Sequence, residues 1–148
     1  MAINSVSAAS SDNWQLISSV TASGSSVSFT PLTGYKRLMV SLQNVTKSSA
    51  ASFYISFNSD TSTPGNYSGA SSFIVWGASS ASPYGGLAFV ENINQSTPHL
   101  VSLVSNSTIS ASYNNPVAIT SVQIWSDSPA GPTTTFSGGT IAIYGIAA

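Results

Sequence analysis

The sequence predicts an all-β fold, an antiparallel β-sandwich of nine to ten short strands. Short alternating or continuous apolar runs recur along the chain, and Gly, Pro, Asn or Ser residues bound each run. No window shows the 3.6-residue periodicity of an amphipathic helix, and one Glu and two Lys in 148 residues make a long exposed helix improbable. A chain of this length builds one core, so regular short strands indicate a sandwich or barrel.

The N-terminal segment differs from the rest of the chain. Residues 1–12 are small and polar apart from Ile3 and Val6. We expect them to form an extended arm, with Ile3 and Val6 as partner-binding side chains, ahead of a single sandwich domain at 13–148. The segment lacks the positive region and the apolar run of a signal peptide.

Turn residues separate the strands predicted in the first half of the chain. Gly24 breaks the chain after the first strand, and the Pro31 to Gly34 segment turns it after the second. A polar loop over 58–69 follows the fourth. These strands are Trp14–Val20, Ser26–Phe29, Tyr35 to about Val45, the run holding Phe53, Ile55 and Phe57, and Phe73–Trp76.

The second half of the chain continues the same pattern. A loop over 77–83 precedes it, Pro98 and the Asn114 to Pro116 turn interrupt it, and a Pro/Gly/Thr loop begins at Ser128. Its predicted strands are Leu87–Val90, Leu100–Val104, Ile109–Tyr113, Ala118–Trp125 and Thr140–Ile146.

Period-two alternation also predicts which side chains point between the two sheets, because a slip of one residue would expose the whole apolar set. The predicted inward residues are Val27, Phe29, Leu38, Val40, Leu42, Phe53, Ile55, Phe57, Val122, Ile124, Ile141 and Ile143.

Charge is scarce in this chain. Charged residues make up 5% of it, against about 25% in an ordinary domain. With a net charge of −1 and one basic pair, Lys36-Arg37, it has no basic surface for nucleic acid or anionic lipid. No apolar run is long enough to span a membrane as a helix, and the absence of Cys excludes disulfides. Because charged residues are so few, the polar surface of the protein is supplied largely by its 33 Ser and 13 Thr.

Residues with catalytic or metal-binding chemistry are few. His99 is the sole His, and a hydrogen-bonded or exposed turn residue is its favoured interpretation over a triad member. The four carboxylates are scattered, and transition-metal ligands do not cluster. The loop over 58–66 offers oxygen ligands for Ca²⁺, but one carboxylate, Asp60, favours ordinary turn chemistry. We therefore expect no enzyme activity, no cofactor and no metal.

Aromatic side chains are the remaining candidates for a site. Trp76 and Tyr84 flank a Gly/Ser/Pro loop, and Trp125 closes a predicted strand. Flat rings beside amide donors suit the face of a sugar, so these three are candidate glycan-stacking residues. The competing interpretation is core or interface packing, which is the usual place of Trp and Tyr in a sandwich.

Three segments carry a resemblance to a known family. They are Trp14-x-Leu-Ile-Ser-Ser-x-Thr-Ala-Ser-Gly-Ser-Ser-Val-Ser-Phe29, Phe57-Asn58-Ser-Asp60 with Asn66-Tyr67, and Phe136-Ser-Gly-Gly-Thr-Ile-Ala-Ile-Tyr144-Gly-Ile146. Together they resemble small β-sandwich structural proteins of tailed bacteriophages, the capsid decoration (cement) and tail virion proteins. The resemblance implies a jelly-roll-like fold, a homotrimer and no catalytic motif.

The leading functional expectation is a non-enzymatic virion component, a capsid decoration protein bound to the assembled head lattice. Its expected partners are copies of itself and the major capsid protein or other virion proteins, within a particle assembled in the host cytoplasm. Trp14 begins the first strand almost at once, which suits a module added to a preformed lattice. The alternative is a tail-associated carbohydrate- or receptor-binding module that contacts host-surface glycan.

Overall fold

The described part of the chain folds around one hydrophobic core. The computed structural model describes residues 13–61, 66–68, 74–77, 82–96, 98–105 and 108–148. The described residues form β-strands joined by turns and loops. The strands are, in chain order, β1 (Gln15–Thr21), β2 (Ser26–Phe29), β3 (Tyr35–Lys47), β4 (Tyr54–Phe57), β5 (Ile74–Val75), β6 (Tyr84–Glu91), β7 (His99–Val104), β8 (Thr108–Tyr113), β9 (Val122–Trp125) and β10 (Phe136–Ala147).

The strands form two antiparallel sheets packed as a sandwich, which confirms the predicted fold class. The larger sheet has the order β1-β10-β3-β6-β7-β8, and the smaller sheet has the order β2-β9-β4-β5. The chain passes repeatedly between the sheets, and its first and last strands pair side by side. This is the arrangement of a jelly roll, extended at one edge of the larger sheet by the β7–β8 hairpin.

The core lies between the sheets and holds all twelve of the side chains predicted to point inward. Each of them is at most 9% exposed. One row across the larger sheet illustrates the packing, since register places Ile143 beside Val40, Val40 beside Ala88, and Ala88 beside Leu103. All four are at most 1% exposed. Alternation therefore predicted the inner face correctly.

Three predicted strand boundaries were wrong, and the first is that the strand predicted from Leu87 begins at Tyr84. The predicted strand Ala118–Trp125 is regular only from Val122. Its first half bonds instead to the side chain of Asn58, which donates to the carbonyl of Ala118 at 3.0 Å and accepts from the amide of Thr120 at 2.8 Å. The last strand begins at Phe136, because the Gly pair that resembles a turn in the sequence is a bulge inside the strand.

The bulge depends on the missing side chain of Gly139. Its φ of 89° is in the region that favours glycine, and the bulge faces Asn44, whose φ is 51°. A Cβ on Gly139 would lie 2.4 Å from the carbonyl oxygen of Asn44 and 2.5 Å from Cα of Val45. Both obstacles are backbone atoms, so β3 and β10 could not stay paired without moving.

Gly139→Ala is expected to lower the free energy of unfolding by roughly 2–3 kcal/mol, because it adds backbone strain to this clash. Gly131→Ala is the matched control, since a Cβ there meets nothing within 4 Å. Urea denaturation of the two variants measures the difference. Equal stability of the two would contradict the role assigned to the bulge.

Candidate functional site

An open polar cleft lies at one end of the larger sheet, where β3 begins and β6 ends. Its volume is about 540 Å³. Three of the seven charged residues of the chain line it, together with three side-chain amides from the loop after β6. These lining residues are Lys36, Arg37, Glu91, Asn92, Asn94 and Gln95.

A cross-strand ion pair forms one wall of this cleft. Arg37 and Glu91 are direct partners in the register of β3 and β6. Nε and Nη2 of Arg37 donate to Oε1 of Glu91 at 2.9 and 2.6 Å, and the side chains are 42% and 32% exposed. The guanidinium also lies 5.6 Å from the ring centroid of Trp14, within cation–π range. Such exposed pairs contribute only about 0–1 kcal/mol, so this pair adds little to the stability of the fold. Because both side chains are partly exposed, they can contact a ligand.

The amide side chains of the cleft stand on a tightly held turn. Asn92 has a φ of 60°, and its carbonyl accepts a hydrogen bond from the amide of Gln95 at 3.0 Å. Ile93 is 1% exposed, and its carbonyl accepts from the amide of Ile119 at 2.8 Å. The side chains of Asn94 and Gln95 remain exposed and are joined at 3.1 Å. The turn is therefore anchored through its backbone and presents its amides to solvent.

His99 braces this turn from inside the protein. It begins β7 and is fully buried. Nδ1 lies 2.9 Å from the carbonyl of Asn92, and Nε2 lies 2.8 Å from the carbonyl of Val117. Its ring stacks beside Tyr113 at a centroid distance of 5.7 Å. Both nitrogens contact main-chain oxygens, which is the hydrogen-bonded structural role that the sequence favoured.

Two of the three predicted glycan-stacking rings are buried in the core. Trp76 is 0% exposed and Tyr84 is 9% exposed. Tyr84 is the first residue of β6, stacks on Phe53 at 4.7 Å and donates to the carbonyl of Trp76 at 3.3 Å. Neither ring offers an open face in this structure, which favours the competing interpretation of core packing over stacking on a sugar. Their large apolar area is used in packing instead.

Trp125, the third predicted ring, is partly exposed. It ends β9 in the smaller sheet, opposite Ser26 and Tyr54 in the neighbouring strands. Its Nε1 donates to Oγ of Ser56 at 2.9 Å, which fixes the orientation of the indole. Trp125 alternates with the core residue Ile124, so its side chain lies on the outer face of the smaller sheet, whereas Trp76 and Tyr84 lie in the core.

The described part of the 58–66 loop uses Asp60 as a hydrogen-bond acceptor. Oδ2 of Asp60 accepts from Asn66 at 2.7 Å and from the hydroxyl of Tyr113 at 3.2 Å, and its carbonyl accepts from Tyr67 at 2.8 Å. Burial raises the pKa of Tyr113 to about 12 and that of Tyr67 above its ordinary range, so both hydroxyls stay protonated. Within the described residues, no three His, Cys, Asp or Glu side chains come together as a metal site.

Lys47 is a buried amine. Its residue is 4% exposed, Nζ makes no hydrogen bond, and Nζ lies 3.9 Å from the centroid of the Phe53 ring. Burial lowers the pKa of Lys47 from 10.5 to about 8 and outweighs the opposing attraction of Asp127. The amine is therefore nearer to its neutral form at neutral pH than an exposed lysine would be.

The sequence indicated none of this cleft as a site. In the sequence, Lys36-Arg37 is only a basic pair and Glu91 only an isolated carboxylate. The contact between Arg37 and Glu91 depends on a strand register that joins positions 54 residues apart. Trp14 read as the start of a strand. The candidate arm residues Ile3 and Val6 lie outside the described residues.

Comparison with known proteins adds no relative. A scan against protein-family models finds no match to this chain, and a search of curated proteins finds none significantly similar. Among the described residues there is no helix long and apolar enough to cross a membrane.

The lowered pKa of Lys47 predicts how stability depends on pH. Between about pH 8 and 9.5 the unfolded chain keeps a proton that the folded protein has lost, so the free energy of unfolding should rise by about 1–2 kcal/mol. Lys47→Met should abolish the rise and be more stable than the parent at pH 7, because it removes an unpaired buried charge. Urea denaturation across this range measures both effects.

Lys36→Met is the matched control and should keep the rise, since Lys36 lines the open cleft. Above about pH 10 the trend should reverse, because the unfolded chain then loses tyrosine protons that Tyr67 and Tyr113 retain in the fold. An unchanged pH profile in Lys47→Met would contradict the assignment.

Proposed function

We propose that this chain is a non-enzymatic structural component of a bacteriophage virion, a capsid decoration protein that binds the assembled head as a homotrimer. The resemblance of its sequence to phage decoration and tail proteins supports the virion setting. The jelly roll agrees with that resemblance, although a fold alone does not imply a function. The observation that carries the proposal is an apolar row on the outer face of the larger sheet.

This outer row crosses four neighbouring strands in register. Leu16 pairs with Tyr144, Tyr144 with Met39, and Met39 with Phe89. They alternate with the core residues of the same strands, so their side chains face away from the smaller sheet. Leu100 and Val104 of β7 extend the apolar surface toward the β8 edge.

Several of these side chains are strongly exposed in the single chain. Leu16 is 58% exposed, Leu100 is 55% exposed and Val104 is 37% exposed. Fully burying one such side chain contributes about 1.5–3 kcal/mol, so covering this face would be favourable. A second copy of the chain is the occupant we propose, because the row is uncharged and burying it against another copy desolvates no charge on this side of the contact.

Carbohydrate recognition at the tail is the alternative function. Trp76 and Tyr84 give it no support because their rings are buried. The polar cleft beside Arg37 and Glu91 supports it instead, since converging amides and an ion pair on an anchored turn are typical of a small-molecule site.

Adding charge to the outer row should abolish self-association. The double variant Leu16→Asp/Leu100→Asp is expected to be monomeric, whereas the parent is expected at about 45 kDa, three times the chain mass of 15.1 kDa. Multi-angle light scattering over a concentration series measures the mass.

Val75→Asp is the matched control for this experiment. Val75 is 40% exposed but belongs to the smaller sheet, so the variant should assemble like the parent. A parent protein that stays monomeric at high concentration would contradict the proposed trimer.

Attachment to the head should depend little on salt, because seven charges spread along the chain leave few ion pairs for any interface. Purified protein added to undecorated particles should stay bound from low to molar NaCl.

Deletion of residues 1–12 should weaken this binding, since we propose that Ile3 and Val6 contact the lattice. Quantified co-sedimentation with the particles measures retention.

Cryo-electron microscopy of the same particles locates the copies. Density spread over the head lattice is expected, and a few copies confined to the tail would favour the alternative function. Release at moderate salt would show that ion pairs hold the interface, and unchanged retention without residues 1–12 would remove the arm from the proposal.

A further inference from the structure

We propose that the polar cleft at the junction of β3 and β6 binds an oligosaccharide, with its hydroxyls on Arg37, Glu91, Asn94 and Gln95 and a ring face near Trp14. This inference deepens the alternative function, carbohydrate recognition, and rests on it for its biological setting. It does not depend on the role proposed for the chain in the particle.

The chemistry of the lining favours a polyhydroxyl ligand. A sugar hydroxyl both donates and accepts hydrogen bonds, so it needs both kinds of partner within a short distance. The Arg37–Glu91 pair places donors beside an acceptor, because Nε and Nη2 of Arg37 donate to Oε1 of the Glu91 carboxylate. Each of the amides of Asn94 and Gln95 supplies a donor and an acceptor in one planar group.

The charge balance of the cleft argues against a highly charged ligand. Glu91 offsets one of the two cations, Lys36 and Arg37, and the other side chains of the lining are three neutral amides and the methyl group of Ala148. A phosphorylated ligand would be expected to select a cluster of unopposed cations. A neutral sugar, or one carrying a single carboxylate, fits this balance better.

The cleft is organised before any ligand arrives. His99 and Ile119 form hydrogen bonds to the backbone of the turn from within the protein. The side-chain amides of Asn94 and Gln95 are therefore not needed to anchor the turn. Arg37 is fixed from two sides, by Glu91 and by the ring of Trp14. Preorganisation of this kind reduces the ordering cost of binding.

Trp14 supplies an apolar surface next to these polar groups. Its ring is partly exposed and packs against Phe89 at a centroid distance of 6.1 Å. Phe89 and Glu91 alternate on the same strand, so the ring and the carboxylate lie on one face of the sheet. Because the Arg37 guanidinium lies over this ring, we place the C–H face of a pyranose against the part of the indole that Arg37 and Phe89 leave exposed.

The test is an array of immobilised neutral hexose, N-acetylhexosamine and uronic-acid oligosaccharides, probed with the fluorescently labelled full chain. We expect dose-dependent binding to members of the array. The double variant Asn94→Ala/Gln95→Ala should bind at least about tenfold more weakly, because two hydrogen-bonding amides are lost. Arg37→Met and Trp14→Ala should also weaken binding, and unchanged thermal unfolding of the Asn94/Gln95 variant would show that it folds.

Two matched controls separate this site from others. Asn114→Ala removes an exposed amide outside the cleft, and Trp125→Ala removes the predicted ring on the smaller sheet. Both should bind like the parent. No binding to any array member, or binding that survives the Asn94/Gln95 substitution, overturns the proposal. Head attachment is measured separately by co-sedimentation, so failure of the cleft proposal is distinguishable from failure of the particle role.

Discussion

The register of β10, β3 and β6 determines which side chains of the larger sheet are inside and which are outside. Val40 and Met39 are neighbours in sequence, but one lies in the core beside Ile143 and the other lies in the outer row beside Tyr144. A shift of one residue would exchange these two faces. The bulge at Gly139 accommodates the shift in register between β10 and β3. Beyond it the two strands pair in one continuous register as far as Arg37, which is the partner of Glu91 in β6.

The scarcity of charge shapes the interior as well as the surface. Most of the buried polar side chains are hydroxyls or amides, which are satisfied by neutral partners, as where Ser126 bonds to the carbonyl of Thr134 at 2.7 Å. Among the described residues, Nζ of Lys47 and Nε1 of Trp76 stand apart as buried atoms with no hydrogen-bond partner. Because burial lowers the pKa of Lys47, the stability of this protein depends on pH although it has few titrating groups.

The outer row and the polar cleft are parts of one continuous surface. Met39 follows Arg37 by two positions on β3, and Phe89 precedes Glu91 by two positions on β6. Side chains two apart on a strand share a face, so an assembly contact on the row would lie directly beside a ligand in the cleft. The two proposed functions can therefore coexist on one chain, and a second copy bound to the row would stand at the edge of the cleft.

The sequence by itself determined the all-β class, the sandwich and the twelve inward side chains, because alternation along a strand is a local property that a half-buried sheet imposes. Only the tertiary structure decided which strands are neighbours, and hence that Arg37 meets Glu91 and that His99 supports the turn at Asn92. It also placed Trp76 and Tyr84 in the core, since a ring beside a loop has the same local pattern whether it packs inward or faces solvent. Contacts between residues distant in sequence depend on strand order and register. The apolar pattern of a single strand specifies neither its neighbours nor its register with them.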